Sequence, residues 1–353
     1  MVPAIPADWD AVDAAWMTWA LAGSFPDVVV GDVDLVLRDD GTNRRARFGL
    51  TYERGSGPST VFLKAADPAH TKLNASTGGV FNEPRLFLSD ATLPVDHPVV
   101  FRVIIDEPGL DFVMVMEDIA ARGGDPRDST RPLTIEQAAN GVRGLAKLHG
   151  AFWADRLERH PTLAWVEPYR AWSGMAGGID VGLQRTADVV PRAVRDLTGE
   201  QIEGEFWARY IATLADRPAT LLHGDPHIGN TYVLADDSVG FLDWQVLRRG
   251  NFSLDLGYFL QGAVTVEDRR SCEADLIDVY LDALDLPHDE RPSRAETWLR
   301  YRASVAHGLA IWLATAASRW QRPEVSFALA ERYAAAFVDL DTPSAIHELS
   351  PHS

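Results

Sequence analysis

The spacing of apolar residues changes once along the chain, and this change constrains the fold more than any other feature. Before Glu117, apolar residues mostly alternate with polar ones or form short runs, separated by turn-forming Asp, Gly, Asn and Pro. After Glu117 they recur every three or four residues over long segments. The first pattern is typical of strands and the second of amphipathic helices. The sequence therefore predicts an α+β fold with its main sheet in the first third of the chain.

Five strands and one inserted helix are predicted before Glu117. The sequences Asp-Asp-Gly-Thr-Asn and Gly-Ser-Gly-Pro-Ser separate the first three strands, as hairpin loops would, so the sheet is expected to be antiparallel. The predicted strands are 33–38, 44–52, 61–65, 99–105 and 112–116, and the inserted helix is 82–89. A preceding helix is predicted at 8–22, with Asp8 or Asp10 at its start.

The remainder is predicted to be mainly helical, with one small hairpin. The predicted helices are 134–153, 199–215, 256–263, 268–284, 295–319 and 325–340, and the hairpin strands are 231–234 and 240–244. We predict an amino-terminal lobe of residues 1–116 and a carboxyl-terminal lobe of residues 120–353, connected by residues 117–119.

Composition argues against several classes of protein. A formal net charge of −18 repels nucleic acids, so no nucleic-acid partner is expected. The single cysteine, Cys272, cannot form an internal disulfide, which fits a reducing compartment. The sequence has no apolar run long enough to span a bilayer and no signal-peptide pattern at its start. We expect a cytoplasmic protein without a membrane span.

The richest set of chemically useful residues is Leu-Leu-His-Gly-Asp-Pro-His-Ile-Gly-Asn-Thr-Tyr-Val at 221–233, followed by Leu-Asp-Trp-Gln at 242–245. Transfer of a phosphoryl group from ATP to a hydroxyl needs a carboxylate near the hydroxyl proton and oxygen ligands for Mg²⁺. Asp225, Asn230 and Asp243 offer these groups. Asp225 and Asn230 are five residues apart, and the predicted hairpin can return Asp243 towards Asn230.

This His-Gly-Asp-x-x-x-x-Asn loop with its following Asp-Trp-Gln resembles the aminoglycoside and choline kinase-like phosphotransferases. Leu-His-Gly-Ala-Phe-Trp at 148–153 and Asp-Leu-Gly-Tyr-Phe-Leu at 255–260 are most similar to the ecdysteroid-kinase-like branch and to bacterial aminoglycoside phosphotransferase-like proteins. The resemblance is strongest over about residues 140–263. It implies a protein-kinase-like two-lobed fold, ATP and Mg²⁺ as cofactors, and a small hydroxyl-bearing acceptor.

The resemblance also implies roles for individual residues. Asp225 is expected to be the catalytic base, and Asn230 and Asp243 are expected to bind Mg²⁺. The remaining expected roles support the catalytic loop: Asp255 braces it through its backbone, His223 is structural, and His227 orients the loop or the substrate.

A lysine and a glutamate in the first lobe support the same hypothesis. Only three of the 33 basic residues are lysines: Lys64, Lys72 and Lys147. Lys64 lies inside the apolar run Val-Phe-Leu-Lys-Ala, where a strand lysine can reach ATP phosphates. Glu83, at the start of the inserted helix, is its expected ion-pair partner. Together they match the lysine and glutamate of kinases.

Two backbone segments are predicted to bind the nucleotide. Gly41, Thr42 and Asn43 lie between the first two strands and could cap the phosphates with N–H groups. Val-Met-Glu-Asp-Ile at 115–119 resembles a kinase hinge, in which the Glu117 carbonyl and the Ile119 amide would pair with adenine. Gly41 to Asn43 could equally form an ordinary hairpin turn.

Each site residue has an ordinary structural alternative. Asp225 and Asn230 could stabilise turns, Asp243 could cap the hairpin, and Asp255 could be a helix amino-terminal acid favoured by the dipole. Their joint occurrence at these spacings favours the functional interpretation. His149 lies on an apolar helix face and is predicted to be a core histidine.

Three other functions are alternatives to phosphoryl transfer. A metal-dependent hydrolase could use His223, Asp225 and His227 as ligands. A nucleotide-binding pseudoenzyme would be expected to lack the base or a magnesium ligand, and neither is missing. A protein kinase is disfavoured because Asp-Trp-Gln replaces Asp-Phe-Gly and no Ala-Pro-Glu follows. The acidic segment 265–290 could contact a cationic acceptor, although a solvated face is the more ordinary interpretation.

Overall fold

The computed structural model describes residues 4–71, 79–318 and 321–349. The chain forms two compact units. Unit 1 takes in the residues up to Ala91, His97–Asp125 and Asp243–Val246, and unit 2 takes in Thr92–Asp96, Pro126–Leu242 and the residues from Leu247 onward. Each unit is discontinuous in sequence. The lobe limits at residues 116 and 120 stay predictions.

Unit 1 contains a five-stranded antiparallel sheet with the order β1-β2-β3-β5-β4. Its strands are Val29–Arg38 (β1), Asn43–Arg54 (β2), Thr60–Ala66 (β3), Val100–Asp106 (β4) and Asp111–Glu117 (β5). The predicted antiparallel sheet is confirmed. β1, β2, β3 and β5 are longer than their predicted ranges, and β4 has the predicted length but begins one residue later. β3 is the central strand, with Lys64 opposite Arg45 of β2 and Met114 of β5. A side chain on a central strand has neighbouring side chains from both adjacent strands on its face of the sheet, which favours burial of Lys64.

Among the described residues of unit 1, α-helices are formed by Ala14–Leu21 (α1) and Asn82–Leu88 (α2). The predicted start of the first helix at Asp8 or Asp10 is wrong. Asp8 instead caps a short 3₁₀ turn, and the Asp13 side chain caps α1 by accepting from Trp16 N at 2.7 Å. A second 3₁₀ turn, Ile119–Arg122, follows β5.

Unit 2 is mainly helical, as predicted. Its longest helices are Ile135–Ala151 (α3), Val266–Ala283 (α9), Arg294–Ala317 (α10) and Pro323–Asp339 (α11). The other helices are Asp155–Glu158 (α4), Ala176–Arg185 (α5), Arg192–Arg195 (α6), a π-helix at Gln201–Ala208, Arg209–Thr213 (α7), Ser253–Ala263 (α8) and Thr342–Leu349 (α12). The short strands are Asp125–Pro126 (β6), Thr220–Leu222 (β7), Thr231–Val233 (β8), Val239–Phe241 (β9) and Arg248–Gly250 (β10). Short 3₁₀ turns of unit 2 lie at Pro161–Leu163 and Ile228–Asn230, and the 3₁₀ turn Trp244–Val246 belongs to unit 1.

Some elements of unit 2 differ from their predicted form. α5 and α6 were not predicted, because glycines and a proline in and around them weaken the helical pattern. The single helix predicted at 199–215 is a π-helix continued by α7. β8 and β9 form the predicted hairpin, with antiparallel pairing of Thr231 to Phe241.

α8 carries Asp255 in its first turn. It begins at Ser253, earlier than predicted, where the Asn251 side chain accepts from Ser253 N at 3.1 Å. All of its residues are buried, as expected for a helix enclosed by protein on every side. Asp255 is therefore a carboxylate in the protein interior. Within the described residues, no helix is both long enough and apolar enough to cross a membrane.

Candidate active site

In unit 1, a buried lysine lies between two carboxylates. Lys64 Nζ is 2.5 Å from Glu83 Oε2 and 2.8 Å from Asp243 Oδ1. Lys64 is on β3, Glu83 is on α2, and Asp243 precedes the 3₁₀ turn Trp244–Val246. The structure thus brings together three residues that the sequence predicted for nucleotide and metal binding.

Burial and charge act in opposite directions on this cluster. Lys64 is 5% exposed and Glu83 is 4% exposed. Burial alone would lower the pKa of Lys64, but the carboxylates of Asp243 and Glu83 outweigh it and raise that pKa above its usual value. Burial raises the pKa of Glu83, and the Lys64 ammonium acts against that shift. Lys64 is therefore a fixed positive charge at neutral pH.

The backbone at Asp243 has an uncommon conformation. Its φ angle is 60°, in the left-handed region that residues other than glycine seldom adopt and that Asp and Asn tolerate best. The next residue, Trp244, donates its backbone N–H to Glu83 Oε1 at 3.3 Å. Glu83 therefore contacts both Lys64 and the chain next to Asp243.

The predicted catalytic loop lies in unit 2 between β7 and β8. Gly224 has a φ angle of 84°, which a side chain would disfavour, and this turn precedes Asp225. Asn230 Nδ2 donates to the Asp225 backbone oxygen at 2.8 Å and to Asp225 Oδ2 at 3.1 Å. Leu242 N donates to Asn230 O at 2.8 Å, which joins the loop to the end of the hairpin. The asparagine thus fixes both the backbone and the carboxylate of Asp225.

Asp255 holds this loop by its backbone. Its Oδ2 accepts from His223 N at 2.7 Å, and its Oδ1 accepts from Gly224 N at 2.9 Å. Asp255 is fully buried, so these charge-assisted hydrogen bonds replace the water that its carboxylate lost on folding. The resemblance implied a brace of this kind, and the role of Asp255 in catalysis stays a prediction.

His149 is a residue of this network that sequence reasoning treated only as a core histidine. It is fully buried, and its Nε2 is 3.2 Å from Asp255 Oδ2 while its Nδ1 is 2.8 Å from the Tyr280 hydroxyl. Burial raises the pKa of Tyr280 well above its usual value, so its hydroxyl stays protonated and donates to Nδ1. Nε2 then carries the hydrogen donated to Asp255. The Leu-His-Gly motif was the available signal for this residue.

We expect His149→Ala to lower the free energy of unfolding by about 1–3 kcal/mol, because it removes one hydrogen-bond partner from each of two buried groups, Asp255 and Tyr280. Denaturant unfolding would measure the loss, with His288→Ala as a control at an exposed histidine. His149→Gln, which keeps an amide donor, should recover part of it. Equal stability of parent and His149→Ala would contradict a role in this network.

The two histidines of the loop face backbone groups. His223 Nε2 is 2.9 Å from Leu242 O, and Asp225 N donates to His223 Nδ1 at 3.3 Å. His227 Nδ1 accepts from Gly229 N at 3.0 Å, and its Nε2 is 3.8 Å from Asp225 Oδ2. In the described part of the chain, no group of three His, Cys, Asp or Glu residues is placed to hold a metal ion. The loop geometry thus gives no support to a hydrolase built on His223, Asp225 and His227.

The residues predicted to contact the nucleotide through the backbone lie at strand ends of unit 1. Gly41 N donates to Asn43 O at 2.9 Å, closing the turn that includes Thr42. Glu117 is the last residue of β5 and pairs with Val61, and Ile119 begins the 3₁₀ turn capped by Asp118. Their proposed contacts with adenine and phosphates stay predictions.

A model of the phosphotransferase enzyme family, APH, matches residues 48–302, more than half of the chain. The chain belongs to this family. The match includes Lys64, Glu83, the catalytic loop and Asp255. The predicted relationship to aminoglycoside and choline kinase-like phosphotransferases is therefore confirmed. Among curated proteins, the sequence has no match.

Solved structures of similar phosphotransferases cover most of the chain at low identity. A choline/ethanolamine kinase family protein from Mesorhizobium loti is 16% identical, with 86% of this chain and 90% of that chain covered at a TM-score of 0.46. A choline kinase from Streptococcus pneumoniae is 11% identical, and the match covers 92% of this chain and 98% of that chain with a TM-score of 0.48. A macrolide 2′-phosphotransferase from Brachybacterium faecium is 17% identical, and the match covers 91% of this chain and 96% of that chain with a TM-score of 0.43.

Several carboxylates in the acidic segment 265–290 of this phosphotransferase family member make structural contacts. Glu273 pairs with Arg269 at 2.9 Å, and Asp278 pairs with Arg294 at 2.6 Å. Thr265, the capping residue of α9, donates its hydroxyl to Asp268 Oδ2 at 2.9 Å. These contacts favour the interpretation of 265–290 as a structural and solvated face.

Proposed function

We propose that the protein transfers the γ-phosphoryl group of ATP to a hydroxyl of a small molecule, with Asp225 as the catalytic base. The observation that carries the proposal is the position of Lys64, a buried ammonium held between Glu83 and Asp243. A buried lysine costs free energy unless it is paired, and an ordinary structural lysine would be placed at the surface. This arrangement is the one that phosphoryl transfer uses to hold triphosphate oxygens.

The proposed work of Asp225 is to orient the acceptor hydroxyl and take its proton as the oxygen attacks phosphorus. Asn230 Nδ2 contacts one carboxylate oxygen of Asp225, which limits rotation of the side chain. Asp255 fixes the backbone just before it through His223 N and Gly224 N. A base held in this way needs little rearrangement when the acceptor binds.

Asn230 and Asp243 are the proposed ligands of Mg²⁺. The hydrogen bonds described for the Asn230 side chain are made by its nitrogen, so its amide oxygen is the atom suited to a cation. The Asp243 side chain is 23% exposed, and its carboxylate is an anionic oxygen ligand. Two protein oxygens suffice, because Mg²⁺ keeps several waters and binds phosphates directly. When bound, the ion would neutralise charge on the phosphates.

Lys64 has a separate proposed task. Its ammonium would donate hydrogen bonds to phosphate oxygens of ATP, while Glu83 keeps it in position on β3. A pseudoenzyme is the second candidate, and it is less well supported because Asp225, Asn230 and Asp243 are all present. Turnover separates the two candidates, since both bind nucleotide.

Two experiments test the proposed function. Calorimetry with a nonhydrolysable ATP analogue and Mg²⁺ should show binding to the folded protein. Incubation with ATP, Mg²⁺ and a metabolite extract should yield a new phosphate ester, detected as a mass increase of one phosphoryl group. An absence of nucleotide binding would contradict the proposal outright, and binding without any ester would favour the pseudoenzyme.

We expect Lys64→Ala to weaken binding of the ATP analogue by about tenfold or more, because a charge-assisted hydrogen bond contributes about 1.5–3 kcal/mol. Lys147→Ala is the matched control, since Lys147 is exposed on α3. The other lysine, Lys72, lies outside the described residues. Calorimetry would give both affinities. Equal affinities for the two variants would show that the position of Lys64 is not special.

A further inference from the structure

Asp243, Trp244 and Gln245 each contact other residues of unit 1. Lys64 contacts the Asp243 carboxylate, and Glu83 accepts from Trp244 N. Lys64 and Asp243 belong to the proposed nucleotide and metal site, and Glu83 positions Lys64. Two further contacts are made to Gln245, a residue to which neither the sequence nor the proposed mechanism assigns a role.

Gln245 is held at both its backbone and its side chain. Asn82, on α2, donates from Nδ2 to the Gln245 backbone oxygen at 3.0 Å. Asn43, at the start of β2, donates from Nδ2 to Gln245 Oε1 at 2.8 Å. Asn43 is 5% exposed and Asn82 is 6% exposed, so both amides are buried polar groups that need such partners.

The contact with Gln245 gives the Asn43 side chain a role of its own. The phosphate contacts predicted for Gly41 to Asn43 use backbone N–H groups and stay predictions, whereas the Asn43 side chain is directed at Gln245 and its backbone oxygen accepts from Gly41 N at 2.9 Å. The turn is thereby connected to the residue two positions after Asp243. A displacement of Asn43 would therefore shift Gln245, and a displacement of Gln245 would shift Asn43.

We propose that Asn43 and Gln245 form an amide clamp that fixes the orientation of Asp243 for binding Mg²⁺. Asp243 has a φ angle of 60°, which an isolated aspartate would leave for the commoner negative region. Contacts of Asp243 and of its chain neighbours must therefore hold this conformation, and the two hydrogen bonds to Gln245 are among them. Gln245 is a positioning residue, because its amide acts through Asp243. The role in Mg²⁺ binding rests on the proposed function, whereas the effect on the conformation does not.

The first test uses the ligand-free protein and needs no enzymatic activity. Hydrogen exchange should rise by up to about tenfold in a peptide covering 243–246 when Asn43→Ala or Gln245→Ala removes the hydrogen bond. The matched control is Gln184→Ala, at an exposed glutamine of α5. Exchange at the parent rate in both single variants would overturn the clamp.

A variant in which the two side chains are swapped shows whether the contact between Asn43 and Gln245 is itself responsible for the protection from hydrogen exchange. Asn43→Gln combined with Gln245→Asn keeps both amides and the summed length of the two side chains. Hydrogen exchange at 243–246 in the double variant should return towards the parent rate. If the double variant instead shows the summed increases of the two single variants, a direct contact is overturned. Because the comparison is made between folded proteins, circular dichroism and thermal unfolding would be measured on each variant.

The second test asks whether the clamp acts on Mg²⁺ binding. The single variants should need up to about tenfold more Mg²⁺ for half-maximal activity, while the rate at saturating Mg²⁺ largely recovers and the double variant behaves like the parent. Faster exchange with an unchanged Mg²⁺ requirement would overturn the role in Mg²⁺ binding. If the parent shows no phosphoryl transfer, the proposed function fails, and the exchange experiment still decides the clamp.

Discussion

Asp225→Asn is expected to reduce phosphoryl transfer by about a hundredfold or more while binding of Mg²⁺ and ATP stays close to that of the parent. The substitution keeps the shape of the side chain and removes the carboxylate that would accept the hydroxyl proton. Asn230 donates to the Asp225 backbone oxygen as well as to its carboxylate, so the loop keeps one of its two contacts. Asp255 still holds His223 N and Gly224 N. The defect should therefore be chemical.

The two properties of Asp225→Asn must be measured separately. Calorimetry with the ATP analogue gives the affinity, and mass spectrometry of the phosphate ester gives the rate with the acceptor found for the parent. Asp282→Asn, at an exposed carboxylate in the acidic segment, controls for loss of one negative charge. Transfer by Asp225→Asn at close to the parent rate would remove Asp225 as the base.

Asp243→Asn is expected to abolish most of the turnover, and added Mg²⁺ should restore little of it. An amide oxygen is a much weaker ligand for Mg²⁺ than a carboxylate, and phosphoryl transfer depends on the ion to neutralise phosphate charge. The fold should persist, because Glu83 remains 2.5 Å from Lys64 and keeps that buried ammonium paired. Any change in the pKa of Lys64 should be a decrease, since the Asp243 carboxylate raises it.

Activity measured against Mg²⁺ concentration distinguishes this variant from the others. Asp225→Asn should keep the parent affinity for Mg²⁺ and ATP, and Gln245→Ala should regain activity at high Mg²⁺. Asp243→Asn should lose affinity for Mg²⁺ and should not regain activity at high Mg²⁺. Thermal unfolding would verify that the variant is folded. Full activity of Asp243→Asn at ordinary Mg²⁺ concentrations would show that this carboxylate is not a metal ligand.

The classes of secondary structure were predictable because apolar periodicity is a local property. The five strands of unit 1 and the long helices of unit 2 each contain several residues that face a core, so their spacing repeats along the element. α5 was missed because its glycines interrupt such a repeat. The start of α1 was misplaced because three aspartates, Asp8, Asp10 and Asp13, could each have capped it.

Parts of the site could also be expected from sequence. A lysine inside an apolar strand needs a buried partner, and Glu83 at the start of α2 supplies it at 2.5 Å. Asp225 and Asn230 contact each other because only five residues separate them within one tight loop. These are short-range relations, in which spacing along the chain limits where the side chains can be.

The sequence by itself determined the α+β class, the antiparallel sheet and the family, because these depend on local patterns and on a contiguous motif. Only the tertiary structure paired His149 with Asp255, 106 residues apart, and Asn43 with Gln245, 202 residues apart. A buried amide or imidazole must find a partner, but nothing in its sequence neighbourhood specifies which one. That choice is made when packing of distant elements brings two polar groups within hydrogen-bonding distance and excludes water from both.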